Sequence, residues 1–220
     1  MGLMQEYQEL HQSIYNCILC KTLGKEVHRI QPKWDENKKS KNIQKWAMII
    51  GQAPGITEEK KSELVQKKTG PGEKIPFSGK AGQQFKHWFT IENIDYKLIF
   101  ENSLITSLTK CYPGKAKIGD RKPDMTETKL CEPFLLKQIE LVNPKLIIPI
   151  GKQSIDWFFP EKKNKPLSEK IGYLSKWKNY DILCLPHPSP LSAIIKKVDI
   201  KEKISNAIKI IYNHWEECHK

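Results

Sequence analysis

Apolar residues recur along this chain in two rhythms. Leu3, Met4, Tyr7, Leu10, Ile14 and Tyr15 are spaced for one face of a helix over residues 3 to 16. Residues 45 to 50 instead predict a buried strand, since the apolar run there is unbroken after Lys45. Residues 103 to 109, 145 to 150 and 181 to 185 predict three more strands. Helical spacing returns after residue 80, with Phe85, Trp88 and Phe89 on one face, and over residues 126 to 142, with Leu130, Phe134, Leu135, Ile139 and Leu141. A short helix is expected over 153 to 159 and a last one over 201 to 216. Residues 31 to 44, 56 to 75 and 115 to 124 are polar and read as loops. Strands alternating with helices predict one α/β domain over residues 1–220, with a parallel or mostly parallel sheet.

In such a sheet right-handed crossovers carry the strand-end loops to one edge, and that edge binds ligands. Residues 51 to 55, 106 to 111 and 187 to 191 are therefore expected to converge. In the first of these, Gly51 and Gly55 allow backbone to approach a ligand and Pro54 stiffens the turn. In the last, His187 stands between two prolines. A rigid imidazole is a preorganised donor, and so a candidate for catalysis. Phe77, beside the Ser78-Gly79 turn, offers a stacking platform.

Charge adds a partner. The chain holds 37 basic against 25 acidic residues, a net charge of +12, and all the basic residues but Arg29 and Arg121 are lysine. Such an excess favours polyanions, with nucleic acid the natural one. No apolar stretch is long enough for a membrane span. The first ten residues carry Gln5, Glu6 and Glu9 and lack a signal-peptide core, so a cytoplasmic protein is expected. Six cysteines in that setting argue against a disulfide framework, whereas the Cys17–Cys20 pair, with two residues between them, suits metal or redox chemistry.

Four segments carry a family resemblance: Gly-Gln-Ala-Pro-Gly at 51–55, Pro-Phe-Ser-Gly-Lys-Ala-Gly at 76–82, Lys-Cys-Tyr-Pro-Gly at 110–114 and His-Pro-Ser-Pro-Leu at 187–191. Their order resembles that of the uracil-DNA glycosylase superfamily, and most closely its iron–sulfur branch, family 4. The resemblance implies a three-layer αβα sandwich around a four-stranded parallel sheet. It implies that Cys17, Cys20, Cys111 and Cys131 ligate one structural [4Fe–4S] cluster, for which thiolates are the natural ligands. Zinc on the same four thiolates is the alternative. Cys184 reads as a small buried apolar residue and Cys218 as a free thiol.

The implied activity is removal of uracil from DNA by a monomer, after the nucleotide is flipped out of the duplex. Phe77 would stack on the base. Gln52 would contact it and help position water, with Gly51, Ala53, Pro54 and Gly55 forming the wall of the pocket. His187 would donate to uracil O2 as the glycosidic bond breaks. Ser189, Pro190 and Lys80 would hold the DNA backbone, and Leu191 would wedge into the base stack. This chain departs from the family twice. Gln52-Ala53 stands where relatives keep a water-orienting acid or amide, which leaves Glu58 as the acid. Ser107 replaces the asparagine that reads the edge of uracil. Hypoxanthine or xanthine excision, or uracil-DNA binding without catalysis, are the alternatives.

Overall fold

The computed structural model describes residues 2–25, 28–29, 43–56, 77 and 79–220. They fall into two compact units, interleaved along the chain: Met1–Gln44, Gln52–Gly79 and Ser107–Asn143 in the first, Lys45–Gly51, Lys80–Thr106 and Pro144–Lys220 in the second.

The second unit is built on the sheet. Strands β2 (Ala47–Gly51), β3 (Ser103–Ser107), β5 (Leu146–Pro149), β6 (Leu174–Trp177) and β7 (Tyr180–Leu183) lie in the order β3-β2-β5-β7-β6. The pairs β2–β5 and β5–β7 are parallel, and β6–β7 is antiparallel. Ala47 to Ile50 and Leu146 to Ile148 are wholly buried. Parallel strands covered on both faces need such unbroken apolar runs, which is why these were legible in the sequence. Helices α3 (Lys80–Ile91), α4 (Tyr96–Glu101), α6 (Lys152–Phe158) and α7 (Val198–His219) surround the sheet. Phe85 and Phe89 of α3 meet Phe100 of α4 at ring-centroid distances of 5.3 and 6.2 Å, which extends the core.

The sheet is therefore the mostly parallel one expected, with five strands where four were expected. The added strand, β6, forms a hairpin with β7 through Lys178 and Asn179, and Lys178 adopts φ 52°. Tight hairpin turns need such left-handed backbone to match the twist of their strands. The strand expected over 181 to 185 continues past β7 as a single parallel bridge, Ile150 to Leu185.

The first unit packs α1 (Leu3–Asn16) against α5 (Met125–Val142), with the short helix α2 (Leu19–Thr22) and the strand pair β1 (His28–Arg29) and β4 (Cys111–Tyr112). Asp124 and Glu127 form a capping box that starts α5. Each side chain there accepts from the other's backbone N–H and satisfies donors that a helix start leaves over. Arg121 closes the arrangement by donating to both carboxylate oxygens of Glu127, at 2.8 and 2.6 Å.

Candidate active site

In the first unit, the loop after β2 is half-buried from Gln52 to Gly55. The Gln52 carbonyl accepts from the Thr109 backbone N–H at 3.2 Å and from the Thr109 hydroxyl at 3.4 Å. Four residues on, the Ile56 N–H donates to a carboxylate oxygen of Asp120, while the Tyr112 hydroxyl donates to the other at 3.1 Å. The loop is thus held from both ends by the segment that follows β3. Ser107 belongs to the same assembly. It is buried, and its hydroxyl donates to the Thr109 carbonyl at 2.6 Å. A hydroxyl has one proton, so this bond leaves Ser107 only as an acceptor toward a base. It can meet a ring N–H, but it cannot donate to an exocyclic carbonyl as an asparagine amide would.

Phe77 is half-buried and has φ 55°, backbone that a bulky side chain rarely adopts. Strain of this kind persists where the surroundings hold it, and it collects at ligand sites. Its neighbours Pro76 and Ser78, and the candidate acid Glu58 with Glu59, lie outside the described residues.

The four candidate cysteines all belong to the first unit. Cys17 and Cys20 flank the start of α2, Cys111 begins β4, and Cys131 lies within α5. None of the four forms a disulfide. Burial pushes the Cys20 thiol up to about 11, and Cys131 and Cys17 are near enough to push in the same direction. Cys131 is likewise raised, by burial first and by Cys17 and Glu127 as well, against a hydrogen bond from the Lys110 backbone and the Lys110 charge. Four cysteine sulfurs are the donors that an iron–sulfur cluster or zinc takes. In donor chemistry they fit an iron–sulfur cluster. Among the described residues, no group of three or more His, Cys, Asp or Glu side chains is drawn together closely enough to hold a metal ion. Cys184 is buried, with its thiol raised to about 12 by burial, and Cys218 is exposed, as expected for both.

In the second unit, His187 follows β7 in a turn that β5 helps to shape. The Gly151 N–H donates to the Leu185 carbonyl at 2.9 Å, and the Leu185 N–H to the Pro149 carbonyl at 3.0 Å. Gly151 has φ 86°, and a side chain there would bring its Cβ to 3.2 Å from the Cβ of His187. Glycine is thus required at the close approach of the two loops. Pro186 and Pro188 are buried, and His187 is half-buried between them. The Ser189 backbone N–H donates to His187 Nδ1 at 3.2 Å. Nδ1 is then the acceptor, so the proton of the neutral imidazole sits on Nε2 and makes that nitrogen the donor.

The Leu191 N–H donates to the Ser189 hydroxyl at 3.3 Å, which fixes the turn and leaves the Ser189 proton to give. Pro190 and Lys80 are exposed, and Leu191 is 83% exposed at the tip. Single exposed apolar residues are common, so exposure alone does not assign Leu191 a role.

Sequence reasoning missed Thr109, Asp120 and Gly151 as parts of the site. Thr109 and Asp120 act through bonds to residues 57 and 64 positions away, which no local pattern announces. Gly151 carried a signal, since a glycine ending a buried strand marks a close approach. Among the described residues no helix is long and apolar enough to cross a membrane.

Comparison with known proteins agrees with this arrangement. The profile of the Uracil DNA glycosylase superfamily matches residues 39–209. The Type-4 uracil-DNA glycosylase of Saccharolobus solfataricus is 30% identical over 173 residues, covering 72% of this chain and 71% of the relative. That of Sulfurisphaera tokodaii is 28% identical over 155 residues, 67% of this chain and 60% of the relative. That of Pyrobaculum aerophilum is 30% identical over 146 residues, 66% and 61%. The chain thus spans less than two thirds of two of these three relatives. With the match running from before β2 into α7 and taking in every strand of the central sheet, this chain belongs to the uracil DNA glycosylase superfamily.

Proposed function

We propose that this chain is a uracil-DNA glycosylase that hydrolyses the bond between uracil and deoxyribose and leaves an abasic site, the first step of base excision repair. Membership of the superfamily and the names of the relatives support the reading. The observation that carries it is the tautomer of His187, whose Nδ1 accepts from the Ser189 backbone and whose Nε2 therefore donates.

In this reading the C1′–N1 bond breaks with its electron pair passing to the base. The negative charge that develops on the uracil ring is met by a hydrogen bond from His187 Nε2 to O2. A fixed donor aimed where charge develops is the largest single contribution of many active sites. Water bonds to C1′ and gives up a proton, which balances the departing uracil anion. Gln52 and Glu58 are the groups proposed to orient that water, Phe77 the ring that stacks on the base, and Gly51, Ala53, Pro54 and Gly55 the wall around it. Lys80 and Ser189 hold the phosphates as point contacts, Pro190 lies against the DNA, and Leu191 fills the gap in the stack. A cluster, which Cys17, Cys20, Cys111 and Cys131 would hold, would supply structure rather than chemistry to this step. Its iron–thiolate bonds would staple α2, β4 and α5 together, and zinc would do the same.

The test is release of free base from oligonucleotides containing uracil, hypoxanthine or xanthine. Uracil release is expected, and release of none of the three overturns the reading. One observation favours a less selective enzyme: Ser107 has already given its proton to Thr109. Ser107→Ala should therefore lower uracil release less than about tenfold, while the lost internal hydrogen bond costs about 1 kcal/mol of stability. Release kinetics and a denaturation midpoint on the same variant check both. A hundredfold loss of activity would mean that Ser107 reads the base after all.

A further inference from the structure

We infer that Lys110 is a positioning residue: an internal cation that locks the end of β3 in place and offsets the negative charge of the thiolates around the proposed cluster. The inference rests on the iron–sulfur reading above.

Lys110 is 6% exposed, although its neighbours in sequence form no helix that would screen it. Its ammonium donates to the Ser107 carbonyl at 2.6 Å. Its backbone N–H donates to Cys131, and its charge acts on that thiol as well. The ring of His11, on α1, also lies within reach of that charge. One residue thus touches the Ser107 carbonyl at the end of β3 and one of the four candidate ligands, and it directly precedes another, Cys111.

Burying an ammonium is costly unless an opposite charge compensates it. Four thiolates on a [4Fe–4S] core in its usual oxidised state leave a net charge of about −2 inside the protein, and the same holds for zinc on four thiolates. A lysine beside one of those sulfurs lowers the cost of both burials. The N–H bond to Cys131 acts in the same sense, since donors to cluster sulfur stabilise the more negative, reduced state. Through its bond to Ser107, the same side chain fixes the short segment that leads into Cys111.

The test compares wild type, Lys110→Met and Lys110→Arg, each purified anaerobically, for iron content, the visible absorption of the cluster, its resistance to an iron chelator and its reduction potential. Methionine keeps the length and removes the charge, and arginine keeps the charge. Lys110→Met is expected to lose its cluster to the chelator about tenfold faster or more, the scale seen when outer partners of metal ligands are removed. Any cluster it keeps should have a more negative potential, and Lys110→Arg should stay close to wild type. A Lys110→Met protein that cannot be recovered folded while Lys110→Arg can is the same result in stronger form. Equal behaviour of the two variants, whether both hold the cluster, both lose it or both fail to fold, overturns the inference. Wild type without iron overturns the cluster reading instead, and the role of Lys110 with it.

Discussion

His187→Ala is expected to lower the single-turnover rate of uracil release by about 10²- to 10³-fold, equivalent to about 2.7–4 kcal/mol, the loss typical for one donor to a developing anion. Binding of uracil-containing DNA is expected to change little, because the lysines and Leu191, the groups proposed to hold the DNA, remain. The size of the effect follows from preorganisation. The prolines on either side fix the turn, the Ser189 N–H fixes the tautomer, and Gly151 lets the β5 loop come within van der Waals contact of the imidazole stem. None of these groups has to move as the charge forms. Rapid-quench assays with enzyme in excess separate the chemical step from product release. A variant within threefold of wild type would remove His187 from the chemistry and favour DNA binding without catalysis.

Glu127→Ala destabilises the first unit by about 3 kcal/mol, at the low end for breaking a buried ion pair because Arg121 keeps part of its exposure. The carboxylate is 2% exposed and serves three donors, two on Arg121 and the Asp124 backbone N–H. Its removal takes away the capping box as well. Burial alone would raise the pKa of Glu127, but the Arg121 hydrogen bonds, the Asp124 N–H and the Arg121 charge together outweigh burial and lower it. The folded pKa therefore lies below the unfolded value near 4.5, so the contribution is complete above that value and is lost as pH falls through the folded one. Urea midpoints followed by circular dichroism should thus fall more steeply with acid for wild type than for Glu127→Gln. Parallel curves for the two proteins would contradict the assignment.

Much of the sheet could be read in advance. Met48 to Ile50 and Leu146 to Ile148 are apolar without a break because both faces of the sheet are covered, and burial on two sides leaves the sequence no other choice. β6 escaped notice for the opposite reason. Leu174-Ser175-Lys176-Trp177 is an exposed edge strand whose side chains alternate between exposed and half-exposed positions, so no apolar run marks it. α4 is only six residues long, too short for a helical period to register, although its cap at Asp95 left a faint trace.

The site divides in the same way. Amino-acid order alone dictates the motifs, because each is a chemical requirement written in a few neighbouring residues: glycine for close approach, proline for rigidity, a lone histidine between prolines. Folding alone decides which atoms are spent and which are left to act. The proton of Ser107 goes to Thr109, Gln52 is held by Thr109, the carboxylate of Asp120 is shared between Ile56 and Tyr112, and Lys110 is buried against Ser107 and Cys131. These bonds join segments whose separation along the chain has no fixed period. Hydrophobic patterning reports which face of an element is buried, but a hydrogen bond depends on distances of a few ångströms that exist only once the chain has closed on itself.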